Sequence, residues 1–197
     1  VASQSLRYGI YGTLYGETRR VNLYVGGARN FFNTTRAMPA AGRRADGAPQ
    51  GHEFQADADF SWDAEAGRTT VSPFAGLAYD LLMVGGFTEG GAGPLNLTVH
   101  PFQQASLRGT LGSKLSRRVR RGAVTYSPFV SAGWQHEFIG QDTLLVAQFA
   151  SGGASFATRS VDTIHDGAVV GAGLGLDWPR GVQFKAAYSG NVRRDFH

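Results

Sequence analysis

The sequence predicts an all-β fold: an antiparallel up-and-down transmembrane β-barrel, with about eight strands present. Three observations carry the all-β, membrane-spanning part of that expectation. Apolar and polar residues alternate over stretches of roughly ten to twenty residues, where strands of a soluble sandwich run to about five or six. The links between these stretches are short and long in strict alternation. The 197 residues include 28 glycines, 12% are aromatic, and mean hydropathy is −0.19. That composition suits a chain crossing a bilayer with strands, whose signal per segment is weak.

The expected strands are about 6–16, 20–31, 52–63, 69–83, 95–116, 123–138, 167–178 and 181–193. The first two flank a tight link, "GETR". In the third, Phe54, Ala56, Ala58, Phe60 and Trp62 alternate with Glu53, Gln55, Asp57, Asp59 and Asp63, so one face is apolar and the other acidic. The fourth opens with "VSPFAGLAY", and the sixth repeats that proline–phenylalanine offset in "YSPFVSAGWQHEF". A proline cannot donate to a ladder, so each is expected near a strand end, just after a tight turn. The fifth is read as one continuous register, with Leu95, Leu97, Val99, Pro101, Ala105, Leu107, Leu111 and Leu115 on one side. In the seventh, Ala168, Val170, Ala172, Leu174, Leu176 and Trp178 face away from a row of glycines. In the eighth, Val182, Phe184, Ala186 and Tyr188 oppose Gln183, Lys185, Asn191 and Arg193.

Tight links occur at Gly16–Arg19, Ala64–Arg68, Arg117–Gly122 and Trp178–Gly181, and long ones at Phe32–Gly51, Val84–Pro94 and Ile139–Asp166. Short periplasmic turns and long external loops are the pattern of an outer-membrane barrel. Lipid then meets the apolar side, where Phe54, Phe60, Trp62, Tyr79, Tyr126, Trp134, Phe138, Trp178, Phe184 and Tyr188 are the lipid-facing or girdle candidates. A hydrated lumen receives Arg7, Glu53, Asp57, Asp59, Asp63, Glu89, Arg108, Lys114, Glu137, Lys185 and Arg193. Glu89, in "GGFTEGG", is expected either to fold inward and pair with Arg108 or another inward cation, or to sit at an exposed loop tip.

Other chemistries find little support. There is no cysteine, which removes disulfides and thiolate metal sites. The formal charge of +4 is scattered apart from "RRVRR" at 117–121, without the interleaved aromatics of a nucleic-acid surface. The five histidines have no ligand spacing, so no metal or other cofactor is expected. "DTIHD" (162–166) sets Asp162 and Asp166 beside His165, but no nucleophile elbow accompanies it. "GAGLG" (171–175) lies in a strand with no helix after it, so it lacks the geometry of a dinucleotide site. No apolar run is long enough for a membrane helix.

From "SPFAGL" through "GFTEGGAG", "LGSKL", "PFVSAGWQHEF", "FASGGASF", "VVGAGLGLDW" and "VQFKAAYSGN", residues 70–193 resemble the translocator β-domain of autotransporters, the type V secretion proteins of Gram-negative bacteria. The resemblance implies a twelve-stranded outer-membrane barrel that supports secretion of its own N-terminal passenger polypeptide, with a linker helix in the pore. It also implies contact with outer-membrane lipid and lipopolysaccharide, folding by the barrel-assembly machinery, and a monomer without enzymatic activity. Residues 1–197 are then expected to be a partial domain, without the first strands, the linker helix and the closing strand. Some members of the family cut their own linker with inward acidic residues; here Glu89, Asp57 and Asp59 would be the candidates. A self-contained structural or adhesive barrel is the alternative reading.

Overall fold

The structure is a computed structural model that describes residues 2–140, 143–160 and 165–193. Fifteen strands follow one another: β1 (Ala2–Tyr15), β2 (Arg19–Met38), β3 (Arg43–Gly47), β4 (Gln50–Trp62), β5 (Ala64–Ala66), β6 (Thr69–Val84), β7 (Phe87–Thr88), β8 (Leu97–Val99), β9 (Phe102–Arg117), β10 (Val119–Arg121), β11 (Val124–Glu137), β12 (Leu144–Phe149), β13 (Phe156–Arg159), β14 (Asp166–Asp177) and β15 (Gln183–Arg193). The helices among the described residues are three short 3-10 turns, each with a proline at its first or second position.

Eight long strands form an antiparallel meander in the order β1-β2-β4-β6-β9-β11-β14-β15. Each ladder joins chain neighbours and is staggered against the next: β9 pairs β6 up to Phe102, but pairs β11 only up to Arg108. Such stagger tilts strands against the axis of a cylinder. The expected strands are all present, and the first four run longer than the hydrophobic pattern reached. β2 continues to Met38 and folds back on β3, so the link expected from Phe32 onward is mostly hairpin.

The fifth expected strand is corrected. The register read from Leu95 onward breaks at His100–Pro101, and Leu97–Val99 belongs to a second sheet of order β13-β12-β8-β7. Pro101 has no N–H for a ladder, and the His100 N–H goes to the Val146 carbonyl at 2.9 Å. This small sheet draws β7 and β8 from one long connection and β12 and β13 from another. It is tied to β3 by paired Asp46 and Gly90 N–H···O bonds of 2.8 Å. Ala45, Ala92, Val99 and Ala147 are buried around it, a thin core of small side chains.

The two proline segments are equivalent in the structure. The β4–β6 ladder stops at Ser61↔Phe74 and resumes in the same register at Ala64↔Val71, with Pro73 in the gap. The β9–β11 ladder stops at Ser116↔Phe129 and resumes at Val119↔Tyr126, with Pro128 in the gap. Backbone N–H groups freed across the gaps reach the previous turn: Asp63 donates to the Thr18 carbonyl at 2.6 Å and Arg118 to the Arg68 carbonyl at 2.9 Å. The short turns are therefore laced to one another along one rim.

Burial is inverted relative to a water-soluble protein. Apolar side chains such as Ile10, Leu111, Val130 and Tyr188 are 56–81% exposed, whereas Asn30, Ser72 and Glu137 on the other face are 4–5% exposed. The ladders keep the two faces separate across the whole sheet: Val21, Phe60, Ala75, Leu111, Trp134 and Ala168 are successive cross-strand neighbours on the apolar side. A face like this is stable where the surroundings are themselves apolar.

Candidate functional site

The polar face is the candidate site, and its chemistry starts with β4. Alternation puts Glu53, Asp57, Asp59 and Asp63 on this face. Glu53 accepts hydrogen bonds from Asn30 Nδ2 at 3.2 Å and Gln55 Nε2 at 2.7 Å, and pairs with Arg7 at 3.4 Å. Asp59 lies against Gly76, which has no side chain to displace it. Arg108 pairs with Asp80 at 2.5 Å, and Asp80 is the partner of Gln55 on the neighbouring strand. Asp63 accepts from Ser72 Oγ at 2.5 Å close to the turn. Glu137, near the other end of its strand, is 5% exposed and accepts from Ser106 Oγ at 2.6 Å and the Leu107 N–H at 2.8 Å.

The phenylalanines of the two repeated segments also lie on this face, each above a glycine. A side chain at Gly112 would come within 2.5 Å of the Phe74 ring, and one at Gly173 within 2.5 Å of Phe129. In the glycine row of the seventh strand Gly173 is thus floor for an aromatic ring, while Gly171 and Gly175 lie against Ser131 and Ser127. Lys114 and Lys185 place their ammonium groups 5.8 and 5.6 Å from the Phe129 ring centre, within reach of a cation–π contact. With Asp63, Ser72 and Arg118 they line a pocket of about 280 Å³ near the short turns. The face is therefore acidic along β4 and basic around Phe129, with hydroxyls between.

Of the expected lumen set, Arg7, Glu53, Asp57, Asp59, Asp63, Arg108, Lys114, Glu137 and Lys185 share this face. Arg193 pairs with Gly167 in the β14–β15 ladder, the register position of the same face. Of the expectations for Glu89, an inward pair with Arg108 or another inward cation or an exposed tip, its partner is a cation other than Arg108. Its carboxylate is held by Arg36, through Nε at 3.1 Å and Nη2 at 2.5 Å, and accepts the Leu97 N–H at 2.9 Å. Arg36 has the even-numbered position of the polar face of β2, so it is another cation of that side; Arg108 is occupied by Asp80. Burial pushes the Glu89 carboxyl up, but the bonds from Arg36 and Leu97 outweigh it and hold the group below the usual carboxylate range. Sequence reasoning missed Arg36 because it assigned that stretch to a loop.

The aromatic candidates Phe54, Phe60, Trp62, Tyr79, Tyr126, Trp134, Phe138, Trp178, Phe184 and Tyr188 all fall on the apolar face. Phe54 and Tyr79 tilt against each other at 6.3 Å, and His136 stacks on Trp134 at 5.3 Å and meets Phe138 edge-on at 4.8 Å. The Asp166 carboxylate takes the Trp134 indole N–H and the His136 Nδ1, both at 2.9 Å. His165 Nδ1 instead approaches the Glu137 carbonyl at 2.9 Å, so His165 and Asp166 serve different partners; Asp162 lies outside the described residues. No group of three or more metal-ligating side chains occurs among the described residues.

A model of the autotransporter β-domain matches residues 1–189. This chain belongs to the autotransporter β-domain family. The solved translocator domain of the autotransporter NalP from Neisseria meningitidis is similar at a TM-score of 0.65 and 23% identity, covering 96% of this chain and 59% of that one. An extracellular serine protease of Serratia marcescens is 25% identical over 136 residues. That is 69% of this chain and 13% of the protease, so the chain spans a small part of that relative's length. The autotransporter β-domain described here has the fold of an outer-membrane translocator barrel, and its place is the Gram-negative outer membrane.

Proposed function

We propose that the domain anchors in the outer membrane and supports export of an N-terminal passenger, its polar face lining the hydrated path and its apolar face meeting lipid. The observation that carries this is the inverted burial on a sheet of this family. Charges of both signs, with Arg7, Glu53, Asp80, Arg108 and Glu137 among those paired or hydrogen-bonded, give a wall that a polypeptide can pass without a hydrophobic grip. The domain works as a monomer, inserted by the barrel-assembly machinery, with lipopolysaccharide and phospholipid against its apolar face. It performs no catalysis of its own: among the described residues Asp57 and Asp59 belong to no group of three metal-ligating side chains, and any activity belongs to the passenger.

The test uses the full-length parent expressed in a Gram-negative host, with the passenger followed by protease shaving of intact cells. A variant with arginine at both Leu111 and Val130, on the apolar face, should fail to insert and leave the passenger inside. Undiminished surface display in that variant would refute the reading.

A further inference from the structure

The short-turn rim carries more positive charge than its ion pairs account for. Residues 16–20, 63–69, 117–122 and 177–182 hold eight arginines against four carboxylates. That excess equals the formal net charge of the whole chain, +4. On the opposite rim three arginines are held internally: Arg36 holds Glu89, Arg44 holds Asp46 at 2.9 Å, and Arg43 Nη1 donates to the Ala92 carbonyl at 2.7 Å. On the short-turn rim, among the described residues, Arg19, Arg117, Arg118, Arg120 and Arg121 have no carboxylate within ion-pair distance, and all are exposed.

Three of these stand on the apolar face. Arg19 pairs across the ladder with Trp62, Arg117 continues the row of Leu111 and Leu115 and pairs with Thr69, and Arg121 pairs with Val124, two residues from Tyr126. Each guanidinium thus lies at the edge of a surface that meets hydrocarbon, level with aromatic side chains of the kind found at headgroup depth. The lacing of Asp63 to Thr18 and of Arg118 to Arg68 holds the three turns together on one rim. A guanidinium matches a phosphate with two parallel hydrogen bonds.

We propose that Arg19, Arg117 and Arg121 form a binding site for the phosphodiester headgroups of anionic phospholipid in the periplasmic leaflet. The site rests on the membrane facing given above, with short turns toward the periplasm. Its effect is to fix the depth and tilt of the domain from one side, while the small sheet closes the other. Arg118 and Arg120 take the polar-face positions of the same turn and supply the field around the site.

The full-length parent, purified in detergent, is placed in nanodiscs containing phosphatidylglycerol and phosphatidylcholine in equal amounts, and lipids retained on the protein are counted by native mass spectrometry. Phosphatidylglycerol should be retained preferentially, and the preference should fall as salt rises from 50 to 500 mM. Polybasic segments gain about fivefold per arginine near an anionic surface, so a triple change to glutamine (R19Q, R117Q, R121Q) should lower the preference on the order of a hundredfold. The matching triple change to lysine should keep most of it, and R43Q with R44Q on the other rim should leave it intact. Heat-modifiability on gels shows that each variant is folded. Equal retention of the two lipids by the parent overturns the proposal, as does a glutamine variant that keeps the preference. Capture of an acidic periplasmic protein by the parent, with no lipid preference, would assign the rim to a protein partner instead. Passenger display is read separately in cells, so loss of lipid preference and loss of export are distinguishable.

Discussion

Arg36 and Glu89, 53 residues apart in the chain, face each other across two hydrogen bonds of 3.1 and 2.5 Å, and the same guanidinium donates to the Leu95 carbonyl at 2.8 Å. One side chain therefore joins the end of β2 to the connection between β6 and β9. Glu89 is 9% exposed and Arg36 36%. A charge-assisted bond is worth about 1.5–3 kcal/mol, and the exposure of Arg36 discounts this toward about 1–2. Glu89→Ala should destabilise the small sheet by that amount, read as faster amide hydrogen exchange at 87–99 and 43–47. Unchanged exchange there would show the pair to be decorative.

The same pair sets a pH dependence. The Glu89 carboxyl titrates lower in the folded protein than in the unfolded chain, so its contribution is complete above the unfolded value, near about 4.3, and is lost as pH falls through the folded one. Exchange in 87–99 should accelerate on going from pH 5 to pH 3 beyond the intrinsic change, and Glu89→Gln should abolish that excess. An identical excess in the glutamine variant would move the effect to another group, with Asp46, held low by Thr35 and Arg44, the next to test.

Face assignment is testable residue by residue. Leu111 is 57% exposed on the apolar side, and its neighbour Thr110 points to the other. Leu111→Arg should cost about 2–4 kcal/mol if it lies near the bilayer midplane, whereas Thr110→Arg should be mild, both measured by reversible unfolding in lipid. Similar penalties at the two positions would reject the facing.

The repeated aromatic–glycine contacts predict steric sensitivity on the polar side. At Gly112 an added carbon meets Phe74, the Ala132 carbonyl and the Gly133 backbone within 2.8 Å. Gly112→Val should destabilise by about 1–3 kcal/mol through overpacking, and Phe74→Ala in the same chain should recover part of the loss. A valine variant as stable as the parent would mean that the ring moves aside freely.

Much of the wall is legible in the sequence alone, because alternation with period two is a local property and each ladder joins chain neighbours. Phe54, Phe60 and Trp62 could be assigned a face from β4 alone. The strand ends were less legible: β2 beyond Phe31 carries "FNTTRAM", with no apolar side to mark it, since its partner is a hairpin outside the lipid zone. The small sheet was invisible for a similar reason. Its strands are two to six residues long and pair across separate connections, so Leu97 and Val99 looked like the start of β9. Arg36–Glu89 belongs to the same class, as its partners meet only when two connections fold over one another. The "SPF" echo was seen in the sequence, but its meaning, a ladder gap followed by a ring over glycine, needed the neighbouring strand.

The small sheet carries a consequence for the order of folding. Every ladder of the wall closes a hairpin, and such contacts can form early at little loop-closure expense. β8 must instead find β12, and Gly90 must find Asp46, so three connections from three separate hairpins have to be side by side first. Substitutions at Val99 or Ala147 should therefore raise the unfolding rate and leave the folding rate nearly untouched, with φ-values close to zero. The sheet acts as a latch that registers completion of the wall beneath it.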